Sequence, residues 1–361
     1  MIQPDICIAG AGIMGLSLAL ELHSRGAHVT VLDRGEPLAE ASSAAAGMLA
    51  AYDPENPPQL IPLSELSLSL YPEYLDRLFD LSGLLVRLHT STTLQALPAS
   101  HEVSGQQLPI LAPEVLSLLV PGFQPGSQRF LMLSEHSLNP RELARALLAA
   151  VRVTDIELRA QTPIRLIRSD SRGVQIHTPK NALRAGQFVD CTGAWSATSA
   201  LPAHLRISPR KGQMLAVALP ESTPLHVVLR TPDIYIVPRT TEPARIRAII
   251  GATVEDDGFD KTVHPADIAQ LRSQAAKLFP PIAEAPEIET WAGLRPSTPD
   301  NLPLLGPIPG QENQFIATGH YRNGILLAPA TARVMAELIM GERPSIDLAP
   351  FSPLRPGRSA R

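Results

Sequence analysis

The stretch Ile6-Cys7-Ile8-Ala9-Gly10-Ala11-Gly12-Ile13-Met14-Gly15 stands almost at the start of this chain of 361 residues, and Asp33 closes the same unit after Val29-Thr30-Val31-Leu32. An apolar strand, three glycines spaced G-x-G-x-x-G, an amphipathic helix, a second apolar strand and a carboxylate compose the dinucleotide-binding βαβ pattern. Each part has a physical task. Gly10 permits a tight turn, Gly12 lets backbone approach a pyrophosphate, and Gly15 lets the helix pack close to the strand. The helix N-terminus turns unpaired N–H groups toward the anion, and Asp33 is placed to accept from ribose hydroxyls. The pattern leaves open which dinucleotide is bound.

The rest of the chain must supply a second unit, because 361 residues suffice for two domains with cores of their own. A net charge of −4 gives no electrostatic reason to expect nucleic acid as a partner. Cys7 and Cys191, the two cysteines, read as small buried hydrophobes rather than a disulfide framework. No Cys or His cluster has metal-ligand spacing, so no metal is expected. The apolar Ile6–Leu20 stretch lacks a preceding positive charge, and Glu21, Arg25 and Asp33 follow it, which argues against a signal peptide. Nothing approaches a membrane-spanning run of ~20 apolar residues. A cytoplasmic location is the expectation. The basic ending Arg355–Arg361 reads as a frayed tail rather than a binding patch.

Ala41-Ser42-Ser43-Ala44-Ala45-Ala46-Gly47-Met48-Leu49 is too featureless for a core helix and too apolar for a solvated linker. It suits close approach of backbone to a ligand, with an Ala-rich helical turn as the other possibility. Helices are expected over Leu63–Asp80, over Arg141–Val151 behind the Asn139-Pro140 cap, over Asp267–Leu278 and from Gly324 to about Met340. Strands are expected at Ile156–Leu158, Ile164–Ile167, Val174–His177 and Gln187–Asp190, the last running into the Cys191-Thr192-Gly193-Ala194-Trp195 turn. Ligands of open parallel sheets lie outside the carboxyl ends of strands, so that turn is a candidate cofactor contact. Ile234–Val237 and Arg245–Ile250 read as paired strands across the polar Arg239–Glu242 turn. Period-two alternation puts Tyr235 and Val237 on one face, with Ile234 and Ile236 on the other.

Two later segments hold candidate chemistry. In Trp291-Ala292-Gly293-Leu294-Arg295-Pro296 the residue before proline is biased toward extended backbone, and a guanidinium fork there could bind a carboxylate bidentately. A surface arginine in a loop fits the same residues. In Gly319-His320-Tyr321-Arg322-Asn323-Gly324-Ile325 a strand ends, a polar turn follows, and a long apolar helix begins whose N-terminus could stabilise negative charge. His320 has no evident acid partner and fits a general base or a structural histidine alike.

The fingerprint, the Ser42–Leu49 segment, Trp291–Pro296 and Gly319–Pro329 together closely resemble the D-amino-acid-oxidase-type FAD oxidoreductases, most of all their glycine-oxidase branch in thiamine biosynthesis. The resemblance covers most of the chain and is least diagnostic over residues 86–140. It implies a discontinuous Rossmann-type FAD-binding α/β domain (residues 1–85, 141–215 and 288–361). A substrate domain on a largely antiparallel β-sheet would take residues 86–140 and 216–287. It implies noncovalent FAD held by Gly10, Gly12, Gly15 and Asp33, by Ser42, Ser43, Ala46, Gly47 and Met48, and by Thr192, Gly193 and Trp195. Gly319, His320, Tyr321, Arg322, Asn323, Gly324 and Ile325 complete that set. The sarcosine-oxidase branch attaches its flavin through a cysteine in the C-terminal half, and this chain has no Cys after Cys191.

The implied activity is oxidative deamination of glycine and other small amines or D-amino acids, with O2 taking the electrons as peroxide. Arg295 would hold the substrate carboxylate, the Tyr235 hydroxyl would assist, and Arg322 would line the site from the flavin side. Hydride leaves the substrate Cα for the flavin, and no compulsory acid–base side chain is needed. The product imine would feed a thiazole synthase, and a homo-oligomer is the expected assembly. Asp233 and Val254 stand where some relatives carry a histidine and a methionine. Those two departures bear on substrate preference. Three other readings fit the same pattern: a D-amino-acid or D-proline dehydrogenase with a quinone acceptor, an FAD-dependent tRNA-modifying oxidase, and a nucleotide-binding subunit of a heteromeric amine oxidase.

Overall fold

A computed structural model describes residues 4–97, 109–196, 205–220, 222–223, 225–241 and 245–356 of the chain. The last five residues of the basic tail, 357–361, lie outside the described residues. Two sheets organise the molecule. The first has six strands in the order Leu304–Pro307, Gln314–Thr318, Gln187–Asp190, Ile6–Ala9, Val29–Leu32 and Glu157–Arg159. Five of them run parallel, and Leu304–Pro307 pairs antiparallel at the edge.

The central strand shows why this sheet sits between two layers. Ile6 and Ile8 pack into a core with the helices Ile13–Ser24, Ile61–Ser82, Pro140–Arg152 and Gly324–Ile339. Cys7 and Ala9 point the other way, onto an antiparallel meander of Leu166–Asp170, Gly173–His177 and Ala182–Ala185. A strand buried on both faces reads as an unbroken apolar run. Burial pushes the Cys7 thiol up to about 12, so it stays an unreactive thiol.

The helix starts follow local chemistry. Asn139 Oδ1 accepts from Arg141 N at 3.1 Å, capping the helix that begins with Pro140. In the Gly324–Ile339 helix, Pro329 has no N–H to give Ile325, four residues earlier. The buried Tyr71 hydroxyl donates to that Ile325 carbonyl instead, and the buried Ser67 hydroxyl donates to Leu326 O at 2.6 Å. These two bonds fasten the first turn of the helix to the Ile61–Ser82 helix.

The second sheet has seven strands in the order Glu287–Ser297, Ser208–Leu219, Arg245–Gly251, Tyr235–Thr241, Val228–Arg230, Thr93–Ala96 and Phe130–Leu133. Its pairs are antiparallel except Val228–Arg230 with Thr93–Ala96. Leu215, Val217, Ile236 and Ile250 bury one face against the helix Pro265–Leu278. Met214, Ala216, Val237 and Ile249 form the other face, packed on Ala46 and Met48 of the first unit. The alternation expected for Ile234–Val237 is the observed one.

Two of the segments expected in the FAD-binding pieces pair in the second sheet. Residues 208–215 and 288–297 were expected in the FAD-binding pieces, but both lie in strands of the seven-stranded sheet. Their pairing partners are remote in sequence, so no local signal assigns them. The Ala41–Leu49 segment takes both expected forms, a single helical turn at Ala41–Ala44 followed by extended chain.

Candidate functional site

One cavity of about 570 Å³ runs between the two sheets, from the carboxyl ends of the Ile6–Ala9 and Val29–Leu32 strands to the inner face of the seven-stranded sheet. At the first end the three fingerprint glycines differ. Gly10 has a left-handed backbone (φ +96°), and an added Cβ would stand 2.5 Å from Cys191 O. A Cβ on Gly15 would meet Gly10 O at 1.9 Å. A Cβ on Gly12 would meet only Ser42 Oγ, at 3.4 Å, and would otherwise stand in the cavity. The first and third glycines thus serve packing, and the second keeps backbone open to a ligand.

Asp33 lines the cavity, with Oδ2 accepting from Ala11 N at 2.6 Å and Oδ1 from Gly35 N at 2.8 Å. It ties the fingerprint turn to the loop after the second strand. Ser42 Oγ accepts from Ile13 N at 2.9 Å, at the start of the fingerprint helix. Ser43 donates instead to Leu38 O at 2.6 Å and lies off the cavity wall.

The Ala44–Met48 loop is gripped by the other sheet. Trp291 Nε1 donates to Ala44 O at 3.0 Å, and buried Arg239 Nη2 donates to Ala46 O at 2.6 Å. Burial lowers the Arg239 guanidinium to about 9. Gly47 has φ +81°, and a Cβ there would stand 2.1 Å from Leu138 O. Ala46, Gly47 and Met48 all line the cavity.

After the Gln187–Asp190 strand, the Asp190 carboxylate accepts from Thr192 N at 2.9 Å, Thr192 Oγ1 at 2.5 Å and Ser196 Oγ at 2.7 Å. These bonds shape the turn that brings Thr192, Gly193 and Trp195 to the wall. From the last segment, His320 to Ile325 line the cavity, while Gly319 packs on Thr298 and Ile207 behind it. Gly15, Ser43 and Gly319 are therefore the three expected contacts that the structure places behind the wall, in packing roles. His320 is buried with Nε2 3.0 Å from Thr331 Oγ1, and desolvation lowers it to about 3. Its ring is neutral, its Nε2 is engaged with Thr331, and no carboxylate stands beside it among the described residues.

At the far end, charge separates three arginines on the wall. Arg322 is ion-paired with Asp53 (Nη2–Oδ1 3.2 Å) and with Glu55. Although burial opposes its charge, the two carboxylates push its guanidinium above the ordinary value. Arg230 is paired with Glu135 at 3.0 Å and bonded to Gln95. Arg295 is different. Its Nη1 donates to two backbone carbonyls, Thr253 O at 3.1 Å and Lys211 O at 3.3 Å, and no carboxylate pairs with it among the described residues. Tyr235 shares this end of the cavity, its hydroxyl 3.2 Å from Met214 Sδ. Burial raises the phenol, so it keeps its proton as a donor, while nearby Arg295 acts in the opposite direction.

Several wall residues escaped the sequence reading: Asp53, Glu55, Arg230, Gly212, Met214 and Gly251. For Gly212 a signal existed, since glycine inside a strand often marks a close approach. It pairs across the strands with Gly293, where a Cβ would meet Ala44 Cβ at 2.5 Å.

The arrangement fits a dinucleotide at one end and a small carboxylate at the other. Comparison with known proteins agrees. A family model described as FAD dependent oxidoreductase matches residues 5–338. The glycine oxidase of Pseudomonas aeruginosa is 36% identical, over 96% of this chain and 98% of that protein. The bifunctional protein ThiO/ThiG of Trichormus variabilis is 39% identical over 94% of this chain, which spans only 53% of that longer protein. The crystal structure of glycine oxidase from Geobacillus kaustophilus superposes with a TM-score of 0.91 at 30% identity, covering 98% of this chain and 99% of that one. The open backbone at Gly12, the acid at Asp33 and a cavity continuing to the second sheet fit the FAD that the family model names. The chain belongs to the D-amino-acid-oxidase-type family of FAD-dependent oxidoreductases.

Proposed function

We propose that this chain oxidises glycine and other small amines or D-amino acids: glycine, O2 and H2O give glyoxylate, NH3 and H2O2. The observation that carries the proposal is Arg295, the cavity arginine without a carboxylate partner among the described residues, set in the cavity that also reaches the fingerprint glycines. A half-buried guanidinium facing the cavity without a counter-charge favours an anion beside it, and an amino-acid carboxylate has the matching charge and planarity. Tyr235, kept protonated, supplies a second donor to that carboxylate. Arg322 is balanced by Asp53 and Glu55 and contributes shape rather than net charge.

Bound FAD would supply the two-electron oxidation at the substrate Cα–N bond, held by Gly12, Asp33, Ser42 and the Ala44–Met48 and Thr192–Trp195 loops. The chain's own part is positioning: Arg295 fixes the carboxylate so that the Cα has one orientation in the cavity. Asn323, Gly324 and Ile325 bring the N-terminus of the Gly324–Ile339 helix to the wall, where its partial positive charge favours negative charge on a ligand.

The bifunctional ThiO/ThiG relative supports delivery of the glycine imine to a thiazole synthase, since that protein carries a further half beyond the part matched here. The test is a visible spectrum of the purified protein, then anaerobic bleaching with glycine, sarcosine, D-alanine and D-proline, and peroxide assay in air. Flavin absorbance, bleaching by glycine and one peroxide per glycine are expected. A colourless protein that binds NAD, or bleaching without peroxide, would overturn the oxidase assignment.

A further inference from the structure

Arg295 is held from behind by side chains that do not reach the cavity. Along Ser208–Leu219, Gly212 and Met214 line the cavity, and strand alternation sends Lys211 and Gln213 to the opposite face. Both are wholly buried. Lys211 Nζ lies 2.9 Å from Glu255 Oε2 and 3.1 Å from Asp257 Oδ2. Lys211 and Glu255 also exchange backbone hydrogen bonds, 3.0 Å in each direction. Gln213 ties down the same segment: its backbone N donates to Thr253 Oγ1 at 2.8 Å, and its amide to Glu255 Oε1 at 2.9 Å and Asp267 Oδ2 at 2.6 Å. Thr253 Oγ1 in turn donates to Glu255.

The two carbonyls that receive Arg295 Nη1, those of Lys211 and Thr253, are the inner edge of this assembly. Their separation is therefore set by the Lys211–Glu255 pair and its neighbours. Burying a lysine completely is costly without paired charge. Burial opposes ionisation of Glu255, yet hydrogen bonds from Thr253, Gln213 and Lys211 hold its carboxyl well below the usual range. The pair is thus ionised on both sides. Nothing in the fold of the seven-stranded sheet requires charge at this spot, where Leu215 and Val217 continue the same face as apolar core.

We propose that Lys211 and Glu255 are positioning residues that aim the Arg295 guanidinium at the substrate carboxylate, acting through the backbone carbonyls of Lys211 and Thr253. The proposal rests on the reading of Arg295 as the carboxylate anchor. Without the pair, the Thr253–Asp257 segment leaves the strand, Arg295 loses one of its two carbonyl partners, and its head turns away from the position that meets a carboxylate.

The test uses Glu255→Gln and Lys211→Met, with Lys211→Arg as the conservative variant, in the FAD-loaded protein. Two substrates are compared: glycine, and glycine ethyl ester, which lacks the anionic carboxylate. The KM for glycine is expected to rise about ten-fold or more with kcat within about two-fold, as for a displaced positioning group. The KM for the ester should not change, and Lys211→Arg should restore glycine binding. Calorimetric titration with acetate should weaken in parallel. Equal changes for glycine and ester would show a general structural role and overturn the proposal. So would a glycine KM and an acetate affinity within two-fold of wild type. If Lys211→Met does not fold, Glu255→Gln, which keeps the shape of the side chain, decides. If wild type oxidises neither substrate, the functional reading fails, while acetate binding still decides the positioning role without turnover.

Discussion

A Cβ built on Gly212 would stand 2.2 Å from Arg295 Nη2, 2.4 Å from Nη1 and 2.5 Å from Cζ. The guanidinium therefore lies broadside over the strand, and the missing side chain at 212 is what admits it. Gly212→Ala meets only the far end of a flexible side chain, so the fold survives by letting Arg295 swing away. Melting temperature should stay within a few degrees, while the KM for glycine rises toward that of Arg295→Ala. Truncating one partner of a buried charge pair costs about 2–5 kcal/mol, roughly 30- to 5000-fold in KM. Steady-state kinetics on both variants checks this, and wild-type kinetics in Arg295→Ala would remove it from the site.

Gly12 and Gly15 should separate cleanly, although they belong to one motif. Gly15→Ala pushes a Cβ to 1.9 Å from Gly10 O, a backbone atom that cannot step aside. Overpacking of this kind costs about 1–3 kcal/mol or more, so the apo protein should melt several degrees lower. Gly12→Ala meets only Ser42 Oγ, at 3.4 Å, and its backbone (φ −78°, ψ −177°) suits alanine. The apo protein should melt as wild type while FAD affinity falls, because the new methyl occupies the space that backbone approach requires. Differential scanning fluorimetry without FAD and flavin fluorescence titration distinguish the two outcomes.

The mouth at the dinucleotide end is spanned from both domains. Phe259 stacks on Trp195 (ring centres 5.6 Å apart, 27° between planes), Arg34 lies over the same indole at 3.9 Å, and Lys261 pairs with Glu40 at 2.9 Å. Trp195, Arg34 and Glu40 line the cavity. An aromatic pair contributes about 1 kcal/mol beyond its burial, so Phe259→Ala should release FAD about five-fold more readily. An exposed ion pair contributes less, and Lys261→Ala should change FAD affinity less than about two-fold. Dialysis followed by flavin fluorescence measures both, and an unchanged affinity in Phe259→Ala would show that the stack does not guard the cofactor.

What the sequence showed was what local chemistry controls. The fingerprint, the Asn139 cap and the two faces of Ile234–Val237 depend on neighbours within a few residues, and each appears in the structure as read. Arg295 stood out because a Gly and a Pro flank its short segment. Its setting did not: Lys211 and Thr253 reach it across strand pairings that no local pattern specifies. Arg322 was expected to line the site from the flavin side, and nothing near it in sequence announced Glu55, 267 residues away, or Asp53, which balance its charge. The same limit hid the sheet membership of Ser208–Leu215 and Ile288–Ser297, which long-range register decides.

His320 makes a prediction about acid stability. Its ring is buried with one partner, Thr331 Oγ1 at 3.0 Å, and desolvation lowers it to about 3 from 6.5. Between those values the unfolded chain binds a proton that the folded chain does not. The stability contributed by the neutral ring is therefore complete above about pH 6.5 and is lost as pH falls toward 3, by up to about 1.4 kcal/mol per pH unit. Replacing it with a group that does not titrate, His320→Gln, should remove that slope. Urea unfolding at pH 8, 6, 5 and 4 should show a constant gap between wild type and variant at the upper end. The gap should then narrow, or reverse, as the pH falls. A gap that stays constant down to pH 4 would mean that His320 titrates alike in the folded and unfolded chains.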